Sequence, residues 1–149
     1  MNLAFYIHIP YCVKRCGYCD FNTYTPAELK ISAGLEQISN SYIDLLLQEI
    51  DSVREQIDGE ITVPSIFFGG GTPSLMQPND IGRVISKIKN EFDLPVNSEI
   101  TLECNPDTVS KDSLEKFKKV GINRVSFGMQ SAVPHVLATL DRTHKPENL

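Results

Sequence analysis

Apolar positions along the 149-residue chain switch repeatedly between a period of two and a period of about 3.6. Over residues 3–9, Phe5, Ile7 and Ile9 fall on one face and Tyr6 and His8 on the other; Pro10 ends the run, which predicts a strand. From Asn22 to about Ser39 the chain is polar and shows no period. Ile43, Leu46, Leu47, Ile50, Val53 and Ile57 then recur at helical spacing, with Ser39 to Ser41 offering a cap and Asp58-Gly59 a stop. A second strand is expected over residues 65–68, running into Gly69-Gly70-Gly71-Thr72-Pro73. Ile81, Val84, Ile85, Ile88 and Phe92 mark a second helix, and residues 100–104 a third strand closed by Asn105-Pro106. Ser110 caps a third helix through Leu114, Phe117 and Val120, with Gly121 just past its end. Residues 123–129 form a fourth expected strand, and Pro134 opens a fourth helix.

Four strand–helix units with no hairpin signal between strands predict an α/β fold with a parallel sheet and right-handed crossovers, in one architectural unit. The strand faces refine this. One face carries Ile100, Leu102 and Cys104, then Val125, Phe127 and Met129; the other carries Tyr6, His8, Glu103, Ser126 and Gln130. Strands covered by helices on both sides are apolar on both faces. A polar face fits instead a lumen that holds a polar ligand, with functional residues at the C-terminal strand ends as in (β/α) barrels.

Composition narrows the function. The chain is 41% hydrophobic and 22% charged, ordinary globular material. A net charge of -5 argues against capture of nucleic acid. No apolar run reaches the roughly 20 residues that span a bilayer, and residues 1–6 lack a secretory signal, so a cytoplasmic location is expected.

The cysteines carry the sharpest chemistry. Cys12, Cys16 and Cys19 sit within eight residues and Cys104 lies far away, which is not the spread of a disulfide scaffold. Three thiolates in one loop can ligate three irons of a [4Fe–4S] cubane and leave the fourth open. A closed zinc site needs a fourth protein ligand, for which His8 is the candidate. The glycine turn at 69–71 lets backbone approach a ligand closely, and it lacks the Lys-Ser/Thr ending of a P-loop. Glu103 faces the lumen, either in an ion pair or bound to a ligand; Cys104 reads as a small core residue. His135 and His144 read as ordinary surface residues.

Tyr6-Ile7-His8-Ile9-Pro10-Tyr11-Cys12-Val13-Lys14-Arg15-Cys16-Gly17-Tyr18-Cys19-Asp20-Phe21 resembles the cluster loop of the radical S-adenosylmethionine (SAM) superfamily. More narrowly, it is similar to the group that holds oxygen-independent coproporphyrinogen III oxidase and the HemW-type haem chaperones. The resemblance implies a [4Fe–4S] cluster on Cys12, Cys16 and Cys19 whose open iron chelates the amino and carboxylate groups of SAM. One electron then cleaves SAM to methionine and a 5′-deoxyadenosyl radical. It implies SAM contacts at Gly70, Gly71 and Thr72, at Glu103 in Glu103-Cys104-Asn105-Pro106, at Gln130 in the fourth-strand motif, and at Arg142. Tyr6 and Tyr18 belong to the same cofactor site. Two departures stand out: Leu140-Asp141-Arg142 replaces the family's more frequent Leu-Gly-Arg, and Ala132 replaces an aromatic residue.

Relatives of the oxidase type tend to carry a fourth cysteine shortly after the motif, where this chain has Asp20-Phe21-Asn22. That resembles the HemW pattern and implies haem binding and delivery to an acceptor protein, with porphyrinogen oxidation as the alternative. A reductant is a further expected partner. Family members are longer, with a six-unit partial barrel and a C-terminal domain. Residues 1–149 are therefore expected to be the N-terminal part of a radical SAM core domain, an incomplete (β/α) partial barrel; an inactive truncated fragment is the third reading.

Overall fold

In the computed structural model, which describes residues 1–30 and 35–145, strands and α-helices alternate along the chain. They are β1 (Phe5–Ile9), α1 (Leu35–Gln56), β2 (Ser65–Gly70), α2 (Pro78–Glu91), β3 (Glu99–Cys104), α3 (Lys111–Lys119), β4 (Arg124–Phe127) and α4 (Pro134–Thr139). Short 3-10 turns follow β2 at Pro73–Leu75 and β3 at Pro106–Thr108. The strands pair in parallel in the order β1-β2-β3-β4. When each crossover of one hand leads to the next neighbour, the helices collect on one face of the sheet. The other face stays open to a ligand.

The alternation of each strand decides which residues go where. Ile7, Ile9, Ile66, Phe68, Ile100, Leu102 and Cys104 are all buried in one apolar cluster, joined by Ile43 and Ile50 from α1 and by Ile81, Val84 and Ile88 from α2. The opposite face carries the row Tyr6, Phe67, Thr101 and Arg124, paired strand to strand, and beyond it Glu103 beside Ser126. Thr101 is buried despite its place on that face, because Arg124 donates to its hydroxyl at 3.2 Å and Glu99 accepts from it at 3.0 Å.

Several boundaries differ from the sequence expectation. α1 begins at Leu35, so Ser39 to Ser41 lie inside the helix rather than capping it. Glu36 and Gln37 are good helix formers that carry the helix upstream of its apolar stripe. Positions 31–34 of the polar stretch lie outside the described residues. β1 begins at Phe5 rather than residue 3, although Leu3 still donates its N–H to the Thr62 carbonyl at 3.0 Å. β2 continues through Gly69 and Gly70, which pair with His8 and Ile9 of β1. β4 ends at Phe127, two residues short of Met129, because Gln130 adopts φ +62° and turns the chain away. Val125, Phe127 and Met129, expected on the apolar face, are each about 40% exposed; β4 is one of the two outer strands among the described residues. α3 starts as expected, with Ser110 and Ser113 bonding each other's backbone N–H in a capping box.

Candidate functional site

The cysteine loop leaves β1 at Pro10 and is tied back on itself at once. Tyr24 donates its N–H to the Pro10 carbonyl at 2.7 Å, and Cys12 donates to the Tyr24 carbonyl at 3.1 Å. Arg15 bonds the Thr23 carbonyl and pairs with Glu28 at 3.2 Å. His8 Nε2 faces the Asn22 carbonyl at 2.9 Å, so this nitrogen carries the proton in the neutral ring, and Nδ1 accepts from the Tyr6 hydroxyl at 3.2 Å. Tyr42 of α1 bonds the His8 carbonyl and fixes the strand end from behind. The loop is thus held in shape by its own backbone and by the sheet.

The glycine turn closes over this loop. Gly71 donates its N–H to the Ile9 carbonyl at 2.7 Å and Thr72 to the Tyr11 carbonyl at 2.8 Å. A methyl group on Gly71 would lie 2.6 Å from the Tyr11 oxygen and 3.0 Å from Cys12 Sγ, so no side chain fits there. Gly70 has φ +110°, a conformation that side chains rarely adopt. Buried Thr72 donates its hydroxyl to Cys12 Sγ at 3.5 Å. Burial pushes the Cys12 thiol up, whereas the Thr72 and Thr23 hydroxyls favour its thiolate. Apart from this influence on Cys12, the buried Thr23 hydroxyl has no hydrogen-bond partner among the described residues.

A cavity of about 350 Å³ opens at the C-terminal ends of the strands, within the size range of small-molecule sites. Cys12, Cys16 and Cys19 line one wall with Tyr18. Gly70, Gly71 and Thr72 form the floor, and Glu103, Gln130 and Arg142 the far wall. Ten of the eleven residues singled out by sequence meet here. Tyr6 does not: it is 59% exposed on the open face, stacked on Phe67 with ring centroids 6.1 Å apart, and burial together with Glu103 pushes its phenol up.

Glu103 takes neither role of an ordinary surface carboxylate. It has no ion pair among the described residues, and instead accepts the Gly70 N–H at 3.3 Å. Burial also raises the Tyr18 phenol; Cys16 adds to this and Arg142 opposes it. Cys104 lies on the core face as expected, 3% exposed, with its thiol pushed up to about 11 by burial.

Arg142 sits at the junction. It donates to the Gly128 carbonyl at 2.7 Å, to Asn105 Oδ1 at 3.1 Å and to Cys16 Sγ at 3.6 Å. Asp141 before it has φ +55°, the left-handed conformation that a glycine takes easily and that Asp also tolerates. Its carboxylate meets Lys14 at 3.5 Å and fills the space that the absent Gly17 side chain leaves. Thr143 bonds Asp107. Three successive residues therefore strap the chain end of α4 to the site.

Two features were not read from the sequence. Asn105, seen there only as a strand stop, orients Arg142 while its Oδ1 also accepts the Asp107 N–H at 3.2 Å. An Asn immediately before Pro-Asp-Thr is the signal of such a cap. His144, expected on the surface, is 3% exposed, with neither ring nitrogen hydrogen-bonded among the described residues. The strap at 141–143 brings the chain down onto the protein, and residue 144 follows it inward. His135 is exposed, as expected.

Among the described residues no three His, Cys, Asp or Glu side chains converge on one point. A cubane makes no such demand, since each thiolate binds its own iron. Nor is any described helix long and apolar enough to cross a membrane.

A sequence model of the Radical SAM superfamily matches residues 6–149. The chain is 39% identical over 141 residues to the heme chaperone HemW of Mycobacterium tuberculosis, covering 95% of this chain and 35% of that protein. It is 40% identical over 141 residues to the mitochondrial radical S-adenosyl methionine domain-containing protein 1 of Mus musculus, covering 95% and 30%. Among solved structures, coproporphyrinogen III oxidase (HemN) from Escherichia coli, a radical SAM enzyme, superposes with a TM-score of 0.83 at 28% identity, over 97% of this chain and 32% of that one. The four parallel strands correspond to the N-terminal (β/α) region of that enzyme. The chain spans about a third of the length of the relatives it matches.

Proposed function

The chain belongs to the radical SAM superfamily, and from that premise we propose that it is the cluster- and SAM-binding portion of a HemW-like haem chaperone. Cys12, Cys16 and Cys19 hold the [4Fe–4S] cluster. Gly70, Gly71 and Thr72 receive the aminoacid end of SAM, Glu103 takes its ammonium group, and Tyr18, Gln130 and Arg142 complete the wall. Tyr6 serves from the open face beside them. The observation that carries this reading is the meeting, in one cavity, of three thiols from one loop with a glycine floor and a carboxylate that has no Lys or Arg partner among the described residues. When bound, the cluster supplies the electron for reductive cleavage of SAM.

The residues present fit both groups. Gly71 leaves room at Cys12 that any side chain would fill, and the Thr72 hydroxyl is aimed at the same sulfur. Glu103 keeps an acceptor directed at the glycine turn, where an ammonium group finds a charge-assisted partner. We read residues 1–149 as the N-terminal part of a radical SAM core, working with a reductant and a haem acceptor. Four free cysteines suit a reducing compartment, and we place the protein in the cytoplasm.

Anaerobic reconstitution tests the cluster: about four irons and four sulfides per chain are expected, lost in Cys16→Ser. Tight zinc without sulfide refutes it. Haem titration then tests the chaperone reading, for which stoichiometric binding is expected. A second reading, porphyrinogen oxidation, is favoured by the likeness to coproporphyrinogen III oxidase. Decarboxylation of coproporphyrinogen without haem binding selects it.

A further inference from the structure

Of the three clustered cysteines, Cys12 is the buried one; Cys16 and Cys19 are partly exposed. A charged sulfur shut off from water needs donors from the protein. The N–H groups beside it are already spent: Cys12 donates to the Tyr24 carbonyl at 3.1 Å, Gly71 to Ile9 at 2.7 Å and Thr72 to Tyr11 at 2.8 Å. Two hydroxyls stand by the sulfur, and both favour its thiolate. That of Thr72 is 3.5 Å away. The other belongs to Thr23, which is 1% exposed and whose hydroxyl has no hydrogen-bond partner among the described residues. The backbone around Thr23 fixes its place. Arg15 holds the Thr23 carbonyl, His8 holds the Asn22 carbonyl at 2.9 Å, and Tyr24 bonds Pro10 and bridges to Tyr11. A β-branched side chain on such a backbone is stiff at χ1, while its hydroxyl hydrogen still turns to suit an acceptor.

We infer that Thr23 is a positioning residue of the cluster site: its hydroxyl donates to the Cys12 sulfur once that sulfur binds iron, so that this ligand carries two hydroxyl donors. The inference rests on the proposed cluster at the three cysteines. A thiol sulfur is a weak acceptor, and beside it the Thr23 hydroxyl is buried without return, which costs stability. A thiolate is a strong acceptor, and a hydrogen bond to it is charge-assisted. The same hydroxyl therefore opposes folding of the apoprotein and favours the loaded form. Hydrogen bonds to cluster sulfurs are also among the factors that set reduction potential, because they stabilise the added negative charge of the reduced form. Thr23 is not among the residues lining the cavity, so this role does not pass through SAM.

Thr23→Val keeps the shape and removes the hydroxyl, whereas Thr23→Ser keeps the hydroxyl. Each is compared with wild type, before and after anaerobic reconstitution, for melting temperature, iron and sulfide, SAM affinity and the SAM-free midpoint potential by EPR-monitored titration. The Thr23→Val apoprotein is expected to melt about 2–4 °C above wild type, and its loaded form at or below wild type. At a fixed ambient potential its ratio of reduced to oxidised cluster falls about threefold, which is about 28 mV for one electron, with SAM affinity unchanged. Thr23→Ser is expected to restore the potential. Where Thr23→Val takes up no cluster, Thr23→Ala reads the same potential. Failure of both to load, beside a loaded Thr23→Ser and folded apoproteins, supports the inference as well. A fully loaded Thr23→Val at the wild-type potential overturns it, as does a melting temperature shifted equally with and without the cluster. Absence of any cluster in wild type, read separately by iron and sulfide analysis, overturns the underlying reading and the inference with it.

Discussion

Replacing Gly71 by Ala isolates the step that joins the glycine turn to the cysteine loop. The added methyl would sit 2.6 Å from the Tyr11 carbonyl oxygen and 3.0 Å from both Cys12 Sγ and the Ile9 carbonyl oxygen. Favourable contacts between carbon atoms lie at about 3.5–4.0 Å, so all three are overlaps. Two of the three neighbours are backbone and cannot rotate aside. Relief therefore means lengthening the Gly71–Ile9 and Thr72–Tyr11 hydrogen bonds, now 2.7 and 2.8 Å. Overpacking of this kind costs about 1–3 kcal/mol. At roughly 2–4 °C per kcal/mol for a chain of this size, the melting temperature falls by about 2–12 °C. The same movement displaces Cys12, so iron and sulfide uptake falls as well. Ile88→Val is the comparison: Ile88 is fully buried in α2, away from the site, and its truncation costs about 0.5–1.5 kcal/mol. That variant is expected to melt lower yet load a full cluster. Gly71→Ala with full iron and sulfide and an unchanged melting temperature would refute the reasoning.

Glu103→Gln keeps an acceptor for the Gly70 N–H but removes the charge, so folding is expected to hold while SAM affinity, read by calorimetric titration, falls about tenfold, or about 1.4 kcal/mol. Cys104 gives a pH signature. Burial raises its thiol from the ordinary 9.0 to about 11, so its contribution is complete below about pH 9 and is lost as pH rises through about 11. Relative to Cys104→Ala, wild type should lose up to about 3 kcal/mol across that window in urea melts, and parallel pH curves for the two proteins would contradict this. Asp141→Gly relieves a left-handed residue, worth about 1 kcal/mol, and gives up the half-exposed pair with Lys14, worth about 0–1 kcal/mol. An equal or higher melting temperature is expected; a drop of several degrees means that the ion pair dominates.

Much of this architecture was legible because local signals and tertiary packing agree. Phe5, Ile7 and Ile9 alternate as a strand needs, and Ser110 with Gly121 brackets α3 at both ends. The spacing of the three thiols puts them in one loop, and the fold sets that loop along one wall of the cavity. What escaped depends on residues far apart in sequence. Asp141 departs from the glycine that the family more often has there, yet its φ of +55° is a backbone conformation that glycine takes easily. No local pattern ties Arg142 to Asn105 and Cys16, 37 and 126 positions away. The burial of His144 depends on the strap that precedes it. The exposure of Tyr6 beyond the cavity depends on where β1 lies in the sheet, which strand alternation does not report.

The bonds that shape the cysteine loop also set an order of assembly. Cys12 closes on Tyr24, twelve residues on, whereas Arg142 reaches Cys16 across 126. Loop-closure entropy grows with the logarithm of length, so the second contact costs about 2 kcal/mol more chain entropy than the first. During synthesis from the N-terminus, the thiols can gather while the strap is not yet made. The cysteine loop can therefore take its shape from local bonds, and the docking of the strap after α4 adds the long-range tie last.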